Sequence, residues 1–369
     1  MSGGMNVAFF GSSLVSAYWN GAATYYRGLL KALFELGYSV TFYEPDAYNR
    51  QKHRDIDEPL YARSVVYKAE YEGLKEALKM AQDADMVIKT SGVGCFDEAL
   101  EEAVLSFKSS GKTVAFWDVD APATLQRLQD NDEDPFIGLI PEYDMIFTYG
   151  GGERVKNSYL NFGAKKCFPI YNALDPSTHY PVLPEADLTG DLGFLGNRMP
   201  DREKRVKEFF FRSASLLPQK KFLLGGNGWD TYMSHLENVK RLGHVYTHEH
   251  NAFNCSTLAV LNINRQSMAE YGFSPPTRIF EAAGAGACII TDLWDGIDHF
   301  LQPGKECFTA SDGEEVAAIL DSLDVGISKE IGENARKKIL SHHTYAHRAR
   351  EVDGILKQYC SFENREVAK

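Results

Sequence analysis

The sequence lacks the features that mark a membrane protein or a general nucleic-acid binder. No apolar run comes near the roughly 18 residues of a membrane-spanning helix, and no secretory signal precedes the first apolar segment. The 39 basic residues are outnumbered by 51 acidic ones, so the formal net charge is -12. General binding to nucleic acid requires a basic face. We therefore expect a cytoplasmic protein without a membrane span and without general nucleic-acid binding.

The cysteines and histidines match no disulfide or zinc motif. No two of the six cysteines have C-x-x-C spacing, and Cys288 lies in the apolar stretch GACIITD. His248 and His250 flank Glu249, but the H-E-x-x-H spacing is absent. We expect reduced, buried thiols and no bound metal. The cysteines are Cys95, Cys167, Cys255, Cys288, Cys307 and Cys360.

Two nucleotide-binding loops are also absent. G-x-G-x-x-G follows neither of the two strands that open the halves of the chain, which argues against a bound dinucleotide. The glycine-rich stretch LLGGNGW lacks the pattern G-x-x-x-x-G-K-[ST] of a P-loop. An NAD enzyme is therefore not expected, and the sequence predicts no permanently bound cofactor.

What the sequence does have is a regular alternation of strand-like and helix-like segments. Short apolar runs such as 5–11 alternate with stretches of helical spacing such as 20–37. This predicts an α/β fold with parallel sheets, which bind ligands beyond the carboxyl ends of their strands. The alternation breaks at 168–190, where four of the 14 prolines lie. We expect two Rossmann-like domains, 1–172 and 173–343, that face each other across a cleft.

Residues 271–292, YGFSPPTRIFEAAGAGACIITD, join a loop, a helix start and a strand. Proline favours the first helical turn, and the free N–H groups of a helix N-terminus suit a phosphate. Ser274 and Thr277 add hydroxyl donors and Arg278 adds charge. Glu281 lies on the same helix face and suits a ribose diol. A well-capped core helix would show the same pattern, so both interpretations stay open.

Two further strand ends are candidates for ligand binding. FLGNRMPDREKR places Asn197 and Arg198 directly after a strand, where a guanidinium suits a diphosphate; for the basic residues behind them, an exposed charge run is the alternative. In LLGGNGW, the glycines let the backbone around Gly226 and Asn227 approach a ligand closely.

Polar and aromatic residues after the first strand predict a second ligand-binding loop in the first domain. They lie in GSSLVSAYWNG, a loop that opens onto a helix and is expected to face the cleft. The candidate binding residues are Ser12, Ser13, Trp19 and Asn20.

Two carboxylates follow a later strand of the same half, in FWDVDAP. Asp118 or Asp120 could take a proton from a hydroxyl nucleophile as a general base. Capping of the helix that starts near Pro122 is the alternative role.

Residues 261–306, with VKRLGHV and FPIYNALDPSTHYPV, resemble GT-B glycosyltransferases of the broad group 1 family, and most closely its CgeB-like branch, named for a spore maturation protein. The resemblance implies transfer of a sugar from a nucleotide diphosphate sugar, its co-substrate, to an acceptor hydroxyl. The acceptor is then expected in the first domain, which makes Ser12, Ser13, Trp19 and Asn20 candidate acceptor-binding residues. A base such as Asp118 or Asp120 is required if the sugar is inverted and is not required if it is retained. The same resemblance implies a final helix, within 344–369, that returns to the first domain. Such enzymes need no metal, because arginines and helix N-termini stabilise the leaving diphosphate.

The resemblance also implies roles for single residues. Glu281 matches the second glutamate of an E-x7-E motif, which binds the donor ribose, whereas the first glutamate falls at Phe273. Arg198 falls near a basic position that stabilises the leaving group, so it is a catalytic candidate. Val245 falls where the nucleobase packs. The diphosphate positions correspond to Ser274, Thr277 and Arg278.

Two other functions remain open. Sugar-nucleotide epimerases share this fold and form product without an acceptor. A non-catalytic nucleotide-sugar-binding protein would bind the donor without turnover.

Overall fold

The computed structural model describes residues 4–233 and 235–360, which divide into two compact units. One unit comprises the described parts of Met1–Tyr171 and Tyr345–Lys369, and the other is Asn172–Thr344. Each contains one parallel sheet and its own helices. The predicted domain limits differ from these by one residue at each junction.

The first unit contains a seven-stranded sheet in the order β3-β2-β1-β4-β5-β6-β7. Every pair of neighbouring strands is parallel. The chain order reverses between β1 and β4, which makes their carboxyl ends the switch point of this sheet. The strands are β1 Asn6–Phe10, β2 Ser39–Asp46, β3 Arg63–Lys68, β4 Met86–Thr90, β5 Thr113–Asp118, β6 Met145–Thr148 and β7 Cys167–Pro169.

Seven α-helices belong to the described part of the first unit, and the last of them comes from the far end of the chain. That helix packs on α1 so closely that a Cβ atom on Gly28 would lie 2.1 Å from the Tyr345 ring. The Tyr38 hydroxyl donates to Asp353 at 2.9 Å. The final helix thus packs within the first unit. The helices are α1 Ala23–Glu35, α2 Tyr71–Met80, α3 Asp97–Ala103, α4 Ala121–Asp130, α5 Pro135–Leu139, α6 Gly152–Asn161 and α15 Tyr345–Tyr359.

The second unit contains a six-stranded sheet in the order β10-β9-β8-β11-β12-β13, again parallel throughout. Its chain order reverses between β8 and β11. Buried aliphatic and aromatic residues such as Leu192, Phe210 and Ile290 form the core between sheet and helices. The strands are β8 Gly190–Leu195, β9 Phe222–Gly225, β10 Val239–Gly243, β11 Thr257–Asn262, β12 Ile289–Asp292 and β13 Phe308–Ala310.

The helices of the second unit include one continuous segment that contains a π-helical turn, Lys207–Phe211, between α7 and α8. The extra residue of such a turn places the three phenylalanines Phe209, Phe210 and Phe211 in the core together. The helices are α7 Pro200–Val206, α8 Arg212–Leu216, α9 His250–Ser256, α10 Gln266–Tyr271, α11 Thr277–Gly284, α12 Ile297–Phe300, α13 Gly313–Ser322 and α14 Val325–His342.

Short 3-10 turns complete the two units. None of the helices in residues 4–233 and 235–360 is both long enough and apolar enough to cross a membrane. All six cysteines are free thiols. The 3-10 turns are Arg50–His53, Ala81–Asp83, Val104–Ser110, Ile140–Glu142, Ala186–Leu188 and Thr247–Glu249.

Candidate donor and acceptor sites

The carboxyl ends of β8 and β11 are held together by one arginine. The Arg278 guanidinium donates to Asn262 Oδ1 at 2.9 Å and to the Leu195 carbonyl oxygen, and it lies 5.1 Å from the centre of the Phe194 ring. Burial, with Arg202 nearby, lowers the pKa of Arg278 to about 9. Arg278 is therefore charged at neutral pH, and its charge lies at the switch point where parallel sheets bind ligands.

The loop before α11 has a fixed backbone. The Phe273 N–H donates to the Asp295 carbonyl at 2.6 Å, and Phe273 has a φ of 44°, in the left-handed region. Ser274 is buried, and its hydroxyl donates to the Gly272 carbonyl at 2.9 Å. The Ser274 hydroxyl is thus used inside the loop. Thr277, the first residue of α11, is half-buried, and no side chain caps this helix start.

One turn further along α11, Glu281 lies beside two histidines from distant segments. His179, His250 and Glu281 each have a nitrogen or carboxylate oxygen within 4.8 Å of those of the other two. Burial lowers the pKa of His250 and so favours its neutral form, although the Glu281 carboxylate opposes this shift. No hydrogen bond joins the Glu281 carboxylate to another described residue. A half-buried carboxylate without such a bond can accept one from a ligand.

The loops after β8 and β9 form one hydrogen-bonded assembly. The Arg198 N–H donates to the Asn227 carbonyl at 2.9 Å, and the Asn227 N–H donates to Asn197 Oδ1 at 2.9 Å. The Arg198 guanidinium is exposed, pairs with Glu203 at 2.7 Å and lies over the Tyr232 ring. This places the Arg198 guanidinium beyond the end of β8, but in an ion pair with the helix that follows it.

Gly226 permits a close approach between two parts of the chain itself. Its φ is 123°, and a Cβ atom there would lie 2.2 Å from the Gly196 carbonyl oxygen. Val245 covers the preceding glycine, since a Cβ on Gly225 would lie 2.8 Å from the Val245 side chain. The flexibility of glycine is therefore needed at Gly226 to pack the β9 exit against the β8 exit.

Asp118 lies in a closed hydrogen-bond network in the first unit. The carboxylate is fully buried and accepts hydrogen bonds from Ser91 Oγ at 2.7 Å, Tyr159 Oη at 2.5 Å, Thr124 Oγ1 at 3.0 Å and the Asp120 N–H at 3.0 Å. Burial raises its pKa against the effect of these donors. This geometry does not favour Asp118 as a base for a substrate hydroxyl, because protein donors surround it.

Asp120 is better placed than Asp118 for chemistry. It is half-buried and precedes α4, where its carbonyl accepts from the N–H groups of Ala123 and Thr124. The Asp120 carbonyl therefore accepts hydrogen bonds from the first turn of α4, as the alternative role at the helix start requires. Of the two carboxylates, Asp120 remains the candidate base.

The predicted acceptor residues separate into two groups. Ser12, Ser13 and Asn20 are buried, and they bond within the first unit: Ser12 Oγ donates to Asn20 Oδ1 at 2.9 Å, and Ser13 Oγ to Glu44 at 3.0 Å. Trp19 is different, because its side chain is 67% exposed and its φ is 48°. The side chains of the two serines and the asparagine therefore shape the loop, and their role in acceptor binding stays a prediction. Of the four, only Trp19 presents its side chain outward.

Left-handed backbone is concentrated in loops of the first unit. Among the described residues, six non-glycine residues have a positive φ, and four of them follow β1, β2 and β4. Such conformations persist only where surrounding contacts enforce them, and they cluster at functional sites. The four residues are Trp19, Tyr48, Asn49 and Phe96.

Three polar side chains of the second unit make contacts that no local sequence pattern predicts. Asn262 holds Arg278, and the buried carboxylate of Asp292 pairs with Arg205 at 2.5 Å. His179 lies in the segment that is expected from its prolines only to connect the two domains. Nothing local distinguishes these residues, because each meets its partner through the fold.

Comparisons with known proteins agree with this architecture. Residues 202–354 match a protein family described as glycosyl transferase-like. Among curated protein sequences, none matches this one.

Solved structures share the fold over nearly the whole chain. HepE of Anabaena, solved with UDP and glucose, has a TM-score of 0.68 at 14% identity, covering 96% of this chain and 99% of its own. Sucrose-phosphate synthase of Thermosynechococcus elongatus has a TM-score of 0.66 at 13% identity, covering 96% and 98%. An α-glucosyltransferase solved with UDP-glucose and abasic DNA has a TM-score of 0.67 at 14% identity, covering 96% and 100%. These likenesses confirm the predicted GT-B fold.

Proposed function

We infer that this chain is a glycosyltransferase that moves a sugar from a nucleotide diphosphate sugar to an acceptor hydroxyl. It has the GT-B fold, and its second half matches a group 1 family. The observation that carries this inference is the match over 202–354. That range contains the start of α11, with Thr277, Arg278 and Glu281. Neither the epimerase nor the non-catalytic binder is favoured by the matched family.

Three features of the second unit suit a leaving nucleoside diphosphate. The start of α11 offers backbone N–H groups and the positive end of a helix dipole. Arg278 supplies a fixed charge held by Asn262 and Leu195. Preorganised donors of this kind stabilise charge that develops in a transition state without a bound metal. Glu281 has an acceptor for the ribose hydroxyls, since its carboxylate bonds to no other described residue.

The nucleotide to test first is UDP. HepE is described in complexes with UDP and with UDP-glucose, and the α-glucosyltransferase in a complex with UDP-glucose. We propose that this chain uses a uridine diphosphate sugar in the same way, with Val245 against the nucleobase. Assignment to the CgeB-like branch and to the cytoplasm likewise stays a prediction from the sequence.

The acceptor is proposed to bind the first unit. Trp19 is the exposed aromatic residue of the loop after β1, and an aromatic face suits stacking on a sugar or another ring. Asp120 is the candidate base if the reaction inverts the sugar. No base is needed if the sugar is retained.

The donor site is tested by the melting temperature of the full chain with and without nucleotides. A ligand that binds only the folded state stabilises it, by about 2.7 kcal/mol at 100 times its Kd. We expect UDP to raise the melting temperature of the parent and of Glu330→Gln, an exposed glutamate on α14 of the same unit. Glu281→Gln should reduce this shift, because the amide keeps only one of the two acceptor oxygens and lacks the negative charge. No shift with any nucleoside diphosphate would contradict the proposed function.

The reaction is tested separately by the release of UDP from UDP-sugars. Release that requires an added hydroxyl acceptor is expected for a transferase. Formation of a new nucleotide sugar without acceptor would show an epimerase, and nucleotide binding without any turnover would show a binding protein.

A further inference from the structure

Arg50 is a buried cation of the first unit that has no carboxylate partner. It begins the 3-10 turn after β2 and is 7% exposed. Two other lysine or arginine residues are buried in the described ranges, and both form ion pairs. Lys89 pairs with Asp97 at 2.9 Å, and Arg348 pairs with Glu351 at 3.0 Å. No ion pair joins Arg50 to a described carboxylate. Since a buried charge without a partner costs free energy, this position favours a bound anion.

The Arg50 guanidinium is fixed at the switch point of the first sheet. Nη1 donates to the Ser12 carbonyl at 3.1 Å and to the Val93 carbonyl at 3.4 Å. Ser12 follows β1 and Val93 follows β4, the two neighbouring strands between which the chain order reverses. Parallel sheets bind their ligands at such a point. The unpaired charge of Arg50 therefore lies where a ligand of the first unit is expected.

The remaining nitrogens of Arg50 form a donor pair that the described chain does not use. Nε is buried and has no hydrogen-bond partner among the described residues, and Nη2 donates to none of them. The guanidinium is planar, so Nε–H and the neighbouring Nη2–H point in the same direction. Such a fork matches two oxygens of one phosphate or carboxylate group. The unused edge of Arg50 is thus the edge that recognises an acidic group.

The Glu44 carboxylate influences Arg50, but its hydrogen bonds go elsewhere. It accepts from Ser13 Oγ at 3.0 Å, from the Leu14 N–H at 2.6 Å and from Gln51 Nε2 at 2.5 Å. These three donors occupy both carboxylate oxygens. Glu44 therefore offsets part of the Arg50 charge across space and leaves the unused edge of Arg50 without an acceptor.

Tyr48 covers one face of the guanidinium and is itself exposed. Its ring centre lies 5.0 Å from the Arg50 guanidinium carbon, and the residue is 58% exposed. Its hydroxyl donates to the Gly94 carbonyl at 2.7 Å, which links the loop after β2 to the loop after β4. Its φ of 56° is in the left-handed region, which surrounding contacts must enforce. An exposed ring beside a buried charge suits a compound that has both a ring to stack and an acidic group to bind.

The switch point of the second sheet has the same arrangement. There Arg278 donates to Asn262 and to the Leu195 carbonyl. It lies 5.1 Å from the centre of the Phe194 ring and forms no ion pair with a described carboxylate. In the proposed function, Arg278 binds the anionic diphosphate. An arginine with the same surroundings in the first unit indicates an anionic ligand there too.

We propose that Arg50 binds an acidic group of the acceptor, a phosphate or a carboxylate, through Nε–H and Nη2–H. The acceptor is then a hydroxyl compound with a negative charge, such as a sugar phosphate or a sugar acid. This inference rests on the proposed function, which assigns the acceptor to the first unit. It uses no residue that is assigned to the donor.

The experiment is a titration of the full chain with inorganic phosphate, and separately with acetate, at constant ionic strength and with saturating UDP. UDP fills the donor site, so the added anion has to bind elsewhere. A ligand of the folded state raises the melting temperature further. We expect a saturable rise in the parent and in Arg54→Gln, an exposed arginine just after the same turn. A rise with phosphate indicates a phosphorylated acceptor, and a rise with acetate alone indicates a carboxylate.

Two variants of Arg50 separate the fork from the charge. Arg50→Gln removes both, so half-saturation should require about 100 times more anion. Arg50→Lys keeps the charge but loses the fork, and should require about tenfold more. Each rise is measured against the same variant without the anion, so a change in the stability of the variant itself does not enter. Binding that is equal in the parent and in either variant would overturn the proposal.

Hydrogen–deuterium exchange of the parent keeps the test decisive if both Arg50 variants fail to fold. The anion should slow the exchange of amides within 47–54 and 91–96 and leave 272–284 unchanged. No saturable rise with either anion, or slower exchange confined to the second unit, would overturn the proposal and leave the donor site unaffected. A parent that UDP does not stabilise would contradict the proposed function instead, and exchange with phosphate alone would then decide whether Arg50 binds an anion.

Discussion

The loop after β1 and helix α11 both carry polar side chains near a strand end, but these side chains differ in their hydrogen bonds. In the loop, Ser12, Ser13 and Asn20 are buried and bond to one another or to Glu44. On α11, the Glu281 carboxylate bonds to no other described residue. Polar groups that satisfy one another build structure, whereas polar groups that converge without doing so are available to a ligand. The type of residue at a strand end does not separate the two cases.

The largest expected effect contrasts Asp118 with Glu281. Asp118→Ala leaves four donors around a buried space, so we expect the free energy of unfolding of the first unit to fall by about 3 kcal/mol. Glu281→Gln should change the free energy of unfolding of the second unit by less than about 0.5 kcal/mol. Urea unfolding, followed by far-ultraviolet circular dichroism, measures both. An equal fall in the free energy of unfolding in both variants would contradict the proposed difference between Asp118 and Glu281.

A smaller effect is expected at Trp19, the exposed member of the loop. Its φ of 48° costs about 1 kcal/mol in a residue with a Cβ atom, and glycine avoids that cost. Trp19→Gly should therefore be about 1 kcal/mol more stable than Trp19→Ala, and neither should alter UDP binding. The pair is compared by thermal unfolding with and without UDP. A less stable glycine variant would show that the backbone of Trp19 is unstrained.

The smallest expected effect is the pH dependence of the Asp118 network. Burial raises the pKa of Asp118 above its usual range, so protonation stabilises the folded state. This contribution is fully present below the unfolded pKa of about 4 and is lost as the pH rises through the folded value. The parent should therefore gain stability relative to Asp118→Asn as the pH is lowered from neutral towards that range. A difference between the two that does not change with pH would contradict the raised pKa.

The fold was largely predictable, because it depends on patterns along the chain. Alternating apolar segments predicted parallel sheets, and both sheets are parallel throughout. Three strands, β3, β7 and β13, were not predicted from the sequence. β7 and β13 have three residues each, and β3 has charged residues at both ends. Segments this short, or half-exposed, carry too little periodicity to separate a strand from a loop.

The candidate sites were predictable only in part, because partners are chosen by the fold. Arg278 and Glu281 lie in a segment with a recognisable helix start, so their neighbourhood was expected. His179 and His250 lie far apart in the sequence, and the local pattern around His250 suggested a different grouping, with His248. The burial of Ser12 could not be predicted for the same reason, since a buried serine and a ligand-binding serine look alike in a sequence.

The most direct test of this account is hydrogen–deuterium exchange of the full chain with and without UDP. If the start of α11 binds the nucleotide, amides within 272–284 should exchange more slowly with UDP, and those within 11–20 should not change. Slower exchange confined to 11–20, or no change in either segment at saturating UDP, would contradict the assignment of the donor site to the second unit.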